Sequence, residues 1–358
     1  MRFPKPIDFG ELLATLEPHY RARLPFALYR KPGARTVRAV LQDDRRLVEP
    51  VTWEDPGFVL APYDSGSCKA VHLQPDRLLR ARADSARAHA PAGCPPEAAA
   101  AREAHLKRVG DALAAIRKGE LEKVVLARDV PVPLKAHPFR VYERLLAYYP
   151  EAFCYMWYHP ATGVWMGATP ELLLGCSQGE ARTVSLAGTL PAQGDRPPAW
   201  GPKERHEQQV VTDYICSRLR EQGLLPETGS TEAVRAGSLW HLRTPVSVKA
   251  GAPQLGKLLD ALHPTPAVCG IPLEAARTFI AAHESFDREY YTGFLGASGL
   301  EQPGDFEFYV NLRCMKINEG QARLYVGGGI TGASDPIREW EETRQKCGTV
   351  WAAVKNSA

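Results

Sequence analysis

The chain alternates between stretches with apolar residues at helical spacing and shorter stretches rich in β-branched and aromatic residues. From about Glu97, the apolar side chains of Leu106, Val109 and Leu113 are separated by charged residues, which predicts an amphipathic helix. The same spacing predicts helices in ERHEQQVVTDYICSRLREQG and in PLEAARTFIAAHE. These helices divide the strand-rich part of the sequence into separate zones.

The strand-rich zones have the pattern of β-hairpins. The first segment, KVVLARDVPV, is a single strand. Three pairs of strands come after it: AFCYMWYH and GVWMGA are separated by PAT, LLLGC and ARTVSLAGTL by SQGE, and DFEFYVNLRCMKI and QARLYVGGGI by NEG. Because β-rich segments flank short turn-forming ones, each pair predicts a hairpin. Antiparallel strands separated by helices predict an α+β fold with large antiparallel sheets, and not a repeated βαβ fold.

One segment interrupts this order. Residues 81–103 are rich in Ala, Pro and Arg, and Pro95–Pro96 cannot continue a helix. The segment predicts a boundary that divides the 358-residue chain into residues 1–95 and residues 96–358.

Composition narrows the possible partners and compartment. A net charge of +3 calls for neither a nucleic-acid surface nor a membrane patch, and no stretch approaches 18 consecutive apolar residues. The eight cysteines are scattered singly, without C-x-x-C pairs or zinc spacing, which is typical of reduced thiols. With no secretory signal pattern at its N-terminus, the chain is expected in the cytoplasm.

Two carboxylate pairs are candidates for a metal site. Glu204 and Glu207, and likewise Glu339 and Glu342, stand three residues apart, so each pair lies on one face of a helix. Two such helices facing each other would offer the oxygen ligands that Mg²⁺ prefers. The same spacing also occurs on solvated helix faces, and the sequence does not show that the helices meet.

Two further residues are candidates for acid–base chemistry. Lys123 begins a strand whose alternation places it on one face with Val125 and Ala127; desolvated, it could act as a general base. A solvated edge lysine is the alternative. Glu171 precedes Leu172 in GATPELLL and could remain protonated as an acid, or lie exposed in a turn.

Basic and glycine-rich positions suggest recognition of an anion. Arg313 lies inside the predicted strand VNLRCMKI, and its planar guanidinium suits a carboxylate of a ligand or of the chain itself. Lys346 follows Glu342 by one helical turn. Residues 327–329 are three glycines whose backbone amides could approach an anion closely, although no phosphate-binding loop motif accompanies them.

Nine ordered motifs resemble one known family. They are KVVLAR (123–128), GATPELLL (167–174), SLAGT (185–189), KERHE (203–207), LWHLRTP (239–245), LHPTPAVCGIP (262–272), FDREYYTGFLG (286–296), VNLRCMKI (310–317) and YVGGGITGASDPIREWEETRQK (325–346). Together they resemble the chorismate-utilising enzymes, which include isochorismate and salicylate synthases and the large subunits of anthranilate and aminodeoxychorismate synthases. The resemblance covers nearly everything from residue 98 and assigns residues 96–358 to the chorismate-binding region; the first 95 residues match less distinctly.

The resemblance implies a two-lobed α+β fold with antiparallel sheets back to back and helices outside. It implies that Glu207 and Glu342 bind Mg²⁺, supported by Glu204 and Glu339, and that the metal holds the C1 carboxylate of chorismate. Lys123 and Glu171 would be catalytic. The implied substrate-binding positions are Ala187, Gly188, Thr189, His241, Ala267, Val268, Tyr291, Arg313, Gly327, Gly328, Gly329 and Lys346.

Family members differ in the nucleophile that attacks C2 of chorismate. Ammonia-using members have another residue in place of Lys123, and aminodeoxychorismate synthases carry a lysine in place of Ala187. The resemblance therefore implies attack by water and an isochorismate product. Salicylate synthases share the lysine but have Thr where this chain has Ala267, and remain the alternative. Arg243 stands where relatives often have a small residue.

A third possibility is a chorismate-binding protein that has lost turnover, although none of the base, acid or metal carboxylates is missing from the sequence. For an enzyme of this kind the resemblance implies no glutaminase subunit, and a monomer is expected. Isochorismate supplies menaquinone, siderophore and salicylate pathways alike, so the residues do not select one.

Overall fold

The computed structural model describes residues 3–50, 52–53, 55–83, 90, 93–192, 196–236, 239–250 and 254–355. Within them, the helices are α1 (Phe9–Arg21), α2 (Ala99–Arg117), α3 (Pro138–Tyr148), α4 (Pro202–Glu221), α5 (Leu255–Leu262), α6 (Leu273–His283) and α7 (Pro336–Val354). The predicted helices correspond to α2, α4 and α6, and α7 contains Glu339 and Glu342. Amphipathic spacing thus identified these helices correctly.

The strands alternate with these helices along the chain. They are β1 (Ile7–Asp8), β2 (Phe26–Arg30), β3 (Thr36–Leu41), β4 (Gly57–Ala61), β5 (Val71–Leu73), β6 (Arg77–Arg82), β7 (Lys123–Pro133), β8 (Phe153–His159), β9 (Gly163–Thr169), β10 (Leu172–Ser177), β11 (Glu180–Pro191), β12 (Glu227–Thr228), β13 (Glu232–Ala236), β14 (Leu239–Lys249), β15 (Gly270–Ile271), β16 (Phe294–Ser298), β17 (Phe306–Val310), β18 (Cys314–Asn318) and β19 (Gln321–Thr331).

The strands form two sheets. A ten-stranded sheet has the order β1-β6-β3-β2-β8-β9-β18-β19-β7-β15, and a nine-stranded sheet has the order β12-β14-β11-β10-β17-β16-β4-β5, with β13 beside β14. Among the strands of the described residues, every pairing is antiparallel except that of β1 with β6. The predicted hairpins β8–β9, β10–β11 and β18–β19 are confirmed.

Large aromatic side chains fill the space between the sheets. Phe153 of the ten-stranded sheet stacks on Tyr309 of the nine-stranded sheet at 4.2 Å between ring centroids, and Tyr29 meets Phe58 at 5.2 Å. These residues belong to one buried cluster, which holds the sheets back to back as predicted. Helices α3 and α7 cover the outer face of the larger sheet, and α4 and α5 cover that of the smaller one.

The first 95 residues contribute strands to both sheets. β2 pairs with β8 in the ten-stranded sheet, and β4 pairs with β16 in the nine-stranded sheet. The N-terminal part is therefore built into the same two sheets as the rest of the chain.

Candidate functional site

Two chain segments that cross from one sheet to the other lie side by side. Pro170 and Glu171 connect β9 to β10, and residues 311–313 connect β17 to β18. They are joined by hydrogen bonds from the Val310 amide to the Glu171 carbonyl oxygen, at 2.9 Å, and from the Ala168 amide to the Arg313 carbonyl oxygen, at 3.1 Å. The paired crossings place Glu171 and Arg313 in the same region of the molecule.

This arrangement corrects the prediction that VNLRCMKI is one strand containing Arg313. The segment ends β17 at Val310 and begins β18 at Cys314, and these strands belong to different sheets. Arg313 lies between them with φ of 48°, a backbone conformation that non-glycine residues seldom adopt. Alternation of apolar residues continues through such a crossing, so the pattern alone does not reveal it.

Lys123 begins β7, where its backbone pairs with Thr331 of β19 and Ile271 of β15. Its Cε lies 3.1 Å from the position that a Cβ on Gly329 would occupy, so glycine there leaves room for the lysine stem. The side chain is half-buried. Burial lowers the pKa of Lys123 below its ordinary value, while the nearby charges of Glu207 and Glu171 act to raise it.

Glu171 is half-buried at its sheet crossing. Burial raises the pKa of its carboxyl to about 7, although the positive charges of Lys123, Lys346 and Arg313 act in the opposite direction. Lys123 and Glu171 are therefore close enough to influence each other. Since the pKa of the lysine is lowered and that of the carboxyl raised, burial favours the neutral form of both groups.

Helix α7 brings two carboxylates to the glycine run. Glu339 Oε2 and Glu342 Oε1 lie 3.5 and 3.9 Å from the position that a Cβ on Gly328 would occupy. Lys346 Nζ donates a hydrogen bond to the Gly327 carbonyl oxygen at 3.2 Å and pairs with Glu342 Oε1 at 2.6 Å. Burial acts to raise the pKa of Glu342, but Lys346 and Arg313 hold it below its ordinary value. The space beside Gly328 that these two carboxylates border is here named the Gly328 cradle, and a side chain at position 328 would fill it.

Helix α4 approaches the site through a second glycine. Gly188 has φ of +63°, and the Glu204 carbonyl oxygen lies 2.7 Å from where its Cβ would stand, so this position needs glycine to let α4 approach. Glu204 Oε2 accepts a hydrogen bond from the Gly201 amide at 3.1 Å at the start of the helix. The carboxylate of Glu207 acts on the pKa of Lys123, which places it near the base candidate.

The predicted metal ligands lie on two helices that border one region, yet within the described residues no three His, Cys, Asp or Glu side chains gather as a metal site. The chemistry of the donors still fits Mg²⁺, because all four are hard carboxylate oxygens. The oxygens of Glu339 and Glu342 both border the space beside Gly328.

The next predicted binding residues are His241, Tyr291 and Thr189, and two of them have described side chains near this region. His241 pairs with Thr189 across β14 and β11, and burial, with Arg313 and Lys346 nearby, lowers its pKa to about 4, so its imidazole is neutral at neutral pH. Tyr291 is 3% exposed, stacks on Tyr325, and has its hydroxyl 3.0 Å from the Cβ position of Gly327. The side chain of Thr189 lies outside the described part of the chain.

Ala267 and Val268 contribute differently from each other. Val268 is 2% exposed and packs in the hydrophobic core between the nine-stranded sheet and helices α4 and α5. Its carbonyl oxygen accepts a hydrogen bond from Arg288. Ala267 is half-buried in the same turn. The structure thus places the Val268 side chain in the core, away from open space.

Sequence reasoning missed two buried polar groups that brace the site. Gln208 Oε1 accepts a hydrogen bond from the Ala187 amide at 2.7 Å, and Nε2 donates to Ser185 and Thr244, which fixes α4 against the sheet. Arg288 and Glu284, each 3% exposed, pair at 2.5 Å. They hold the open edge of β7 through the Val125 carbonyl oxygen and the Ala127 amide.

The sequence carried only a weak signal for these residues. Arg288 lies in FDREYYTGFLG, and its four-residue separation from Glu284 is common in surface helices. Arg243, the departure from the family pattern, pairs with Glu232 of the neighbouring strand at 2.5 Å, with both side chains more than two-fifths exposed. It forms a cross-strand ion pair at the surface.

This chain is similar to known proteins over much of its length. Residues 66–355 match the family model described as chorismate binding enzyme. Isochorismate synthase EntC of Escherichia coli is 36% identical over 244 residues, which cover 64% of this chain and 62% of EntC. A Mycobacterium tuberculosis protein with the provisional name isochorismate synthase MenF is 32% identical over 381 residues, covering 96% of this chain and 98% of that protein.

A solved structure shares the fold. MenF, the menaquinone-specific isochorismate synthase from Escherichia coli, superimposes with a TM-score of 0.76 at 22% identity, covering 92% of this chain and 88% of MenF. Within the described residues, no helix is long and apolar enough to cross a lipid bilayer. The family match spans most of the sequence and includes both carboxylate helices, so this chain belongs to the chorismate binding enzyme family.

Proposed function

We propose that this protein is an isochorismate synthase that converts chorismate to isochorismate. The names of its relatives support this assignment, since EntC matches 64% of the chain. The observation that carries the chemistry is the pair formed by Lys123, whose pKa is lowered, and Glu171, whose pKa is raised to about 7. A base and an acid near each other are what displacement of one hydroxyl by water requires.

Lys123 takes a proton from the water that attacks C2 of the chorismate ring. Glu171 gives a proton to the hydroxyl that leaves from C4. One C–O bond forms at C2 and one C–O bond breaks at C4, while the two ring double bonds shift from C1=C2 and C5=C6 to C1=C6 and C4=C5, so one water enters and one departs. The lowered pKa of Lys123 increases its neutral fraction, and the raised pKa of Glu171 keeps a proton available for transfer.

The substrate is an anion with two carboxylates, and cationic side chains border the proposed site. Arg313 and Lys346 would bind these carboxylates together with the backbone at residues 327–329, and Lys346 Nζ already lies 3.2 Å from the Gly327 carbonyl oxygen. The neutral imidazole of His241 would orient the ring, and the Tyr291 hydroxyl, which lies beside Gly327, would contact the substrate. Ala187, on β11, would contact the substrate from the nine-stranded sheet.

Glu207 and Glu342 would hold Mg²⁺, with Glu204 and Glu339 in support. When bound, the ion would supply positive charge to the ring carboxylate of chorismate. Of these four residues, Glu339 and Glu342 have oxygens that approach the space beside Gly328 without an intervening side chain. The Glu342 side chain is 46% exposed, so its carboxylate is accessible from solvent.

The assignment predicts a bell-shaped dependence of kcat/KM on pH. Glu171 donates only when protonated, so activity falls as pH rises through its pKa of about 7. Lys123 accepts a proton only when neutral, so activity also falls as pH drops below its lowered pKa. The check is a pH series with Mg²⁺ kept saturating; a profile that is flat from about pH 6 to pH 9 would contradict the assigned roles.

The activity itself is tested by incubating purified protein with chorismate and Mg²⁺, without ammonia, and separating the products by chromatography. We expect isochorismate alone. Salicylate with pyruvate would assign the protein to the salicylate synthases, and a requirement for ammonia would exclude water as the nucleophile. Absence of any product would favour a binding protein without turnover.

A further inference from the structure

A short segment before α2 packs against α7. Residues 93–97, here named the α7 strap, lie within the segment that the sequence marks as a boundary. The Gly93 carbonyl oxygen is 2.9 Å from the Cβ position of Gly348, and Cys94 Sγ accepts a hydrogen bond from Arg344 Nη2 at 2.7 Å. The strap therefore contacts the helix that carries Glu339 and Glu342.

The last residue of the strap forms a buried ion pair. Both Nη atoms of Arg128 donate hydrogen bonds to the carboxylate of Glu97, and the two side chains are only 5% and 7% exposed. Arg128 lies on β7, the strand that begins with Lys123. The ion pair thus joins the strap to the strand that carries the proposed base.

Arg128 also fixes α7. Its Nε donates a hydrogen bond to Thr343 Oγ1 at 2.9 Å, and its guanidinium carbon lies 4.2 Å from the centroid of the Trp340 ring. Thr343 is fully buried and donates its hydroxyl proton to the Trp340 carbonyl oxygen at 2.8 Å. With both Nη atoms directed to Glu97, the orientation of the guanidinium is set by the strap.

The two residues of α7 that Arg128 contacts, Trp340 and Thr343, lie next to the carboxylates that the helix presents. Trp340 and Thr343 each follow one of the proposed ligands, Glu339 and Glu342, by one residue. Successive helical residues are about 100° apart, so a rotation of α7 that displaces Trp340 and Thr343 also turns both carboxylates. Thr343 Cγ2 lies 3.8 Å from the Cβ position of Gly328, which Glu339 Oε2 and Glu342 Oε1 also approach.

We propose that Glu97, acting through Arg128, is a positioning residue for metal binding on α7. The proposal rests on the function proposed above, because it requires that Glu342 binds the metal. The Glu97 carboxylate holds the guanidinium, the guanidinium holds Trp340 and Thr343, and these fix the rotation of the helix that presents the ligands. Partners behind the ligands of a metal commonly change its affinity by about 10- to 100-fold.

The test measures Mn²⁺ binding by titration, with free Mn²⁺ followed by electron paramagnetic resonance, in the full-length protein. Wild-type protein is compared with Glu97→Gln and with Glu103→Gln, an exposed glutamate on α2. We expect the dissociation constant for Mn²⁺ to rise by about 10-fold or more in Glu97→Gln, with Glu103→Gln unchanged. An unchanged constant in folded Glu97→Gln overturns the proposal.

A double variant separates positioning from stability. Replacing both members of a buried ion pair with apolar residues often preserves stability, so Glu97→Leu combined with Arg128→Leu should keep the unfolding midpoint close to that of the wild type. We expect its Mn²⁺ affinity to remain weakened, because Thr343 and Trp340 have lost the guanidinium. Wild-type Mn²⁺ affinity in this variant would show that the pair acts on folding alone, and would overturn the proposal.

The Glu342→Ala variant separates failure of this inference from failure of the proposed metal site. If wild-type protein binds no Mn²⁺, or binds it equally well after Glu342→Ala, the proposed metal site is wrong and the inference falls with it. If binding depends on Glu342 but not on Glu97, only the inference is wrong.

Discussion

Replacing Lys123 with alanine is expected to lower kcat by about 10²- to 10⁴-fold, the usual contribution of a positioned general base. Burial lowers the pKa of this lysine, and Gly329 leaves room for its stem beside β19. Its proposed role lies in proton transfer, so the variant should still bind chorismate. Steady-state kinetics would give kcat and KM, and calorimetry would give the affinity for chorismate.

Lys118 provides the matched control. It lies just after α2, its side chain is 70% exposed, and its nearest acidic partner, Glu120, is 3.9 Å away. Lys118→Ala should therefore leave kcat unchanged. If Lys123→Ala retains kcat within about twofold of the wild type, the assignment of Lys123 as the base is wrong.

The second large effect is expected at Glu342. Glu342→Ala removes an oxygen from the Gly328 cradle and leaves Lys346 without its 2.6 Å partner. Loss of a direct metal ligand should exceed the effect of changing a residue behind it, so activity should fall by at least about 100-fold. Activity measured over a Mg²⁺ series would show whether higher metal concentration restores part of the rate.

Glu341 offers a control on the same helix. It is 49% exposed and its contact with Arg344 is a surface ion pair at 3.4 Å, which is worth about 0–1 kcal/mol at most. Glu341→Ala should therefore retain wild-type activity and wild-type dependence on Mg²⁺. Full activity in Glu342→Ala would remove the main argument for a metal site on α7.

Much of the fold could be predicted because its local patterns are strong. The hairpins β8–β9 and β10–β11 have β-rich segments on both sides of short turns. Helix α2 was also predicted, although the residues that it buries are His105, Val109, Ala112 and Ala115, of which only Val109 belongs to the predicted apolar face. The sheet crossing at Arg313 could not be predicted, because the apolar alternation of VNLRCMKI continues while the chain changes sheets. Periodicity reports which side of a strand is buried and does not report its partner strand.

The candidate catalytic and metal-binding residues could be proposed from the sequence more directly than the residues that position them. Lys123, Glu171 and the two carboxylate pairs stand in recognisable motifs, so the sequence proposed them directly. The reason for glycine at 188 is a close approach of α4, which depends on tertiary packing. The pairing of Glu97 with Arg128 joins residues 31 positions apart, and a pattern of nearby residues cannot indicate it.

The most direct test of the proposed reaction uses chorismate in ¹⁸O-labelled water, with Mg²⁺ present and ammonia omitted. Mass spectrometry of the product at early time points reports the origin of its ring hydroxyl. If water activated by Lys123 attacks C2, isochorismate will carry one ¹⁸O atom, and Lys123→Ala will form it far more slowly. Isochorismate without the label, or no isochorismate until ammonia is added, would contradict the account.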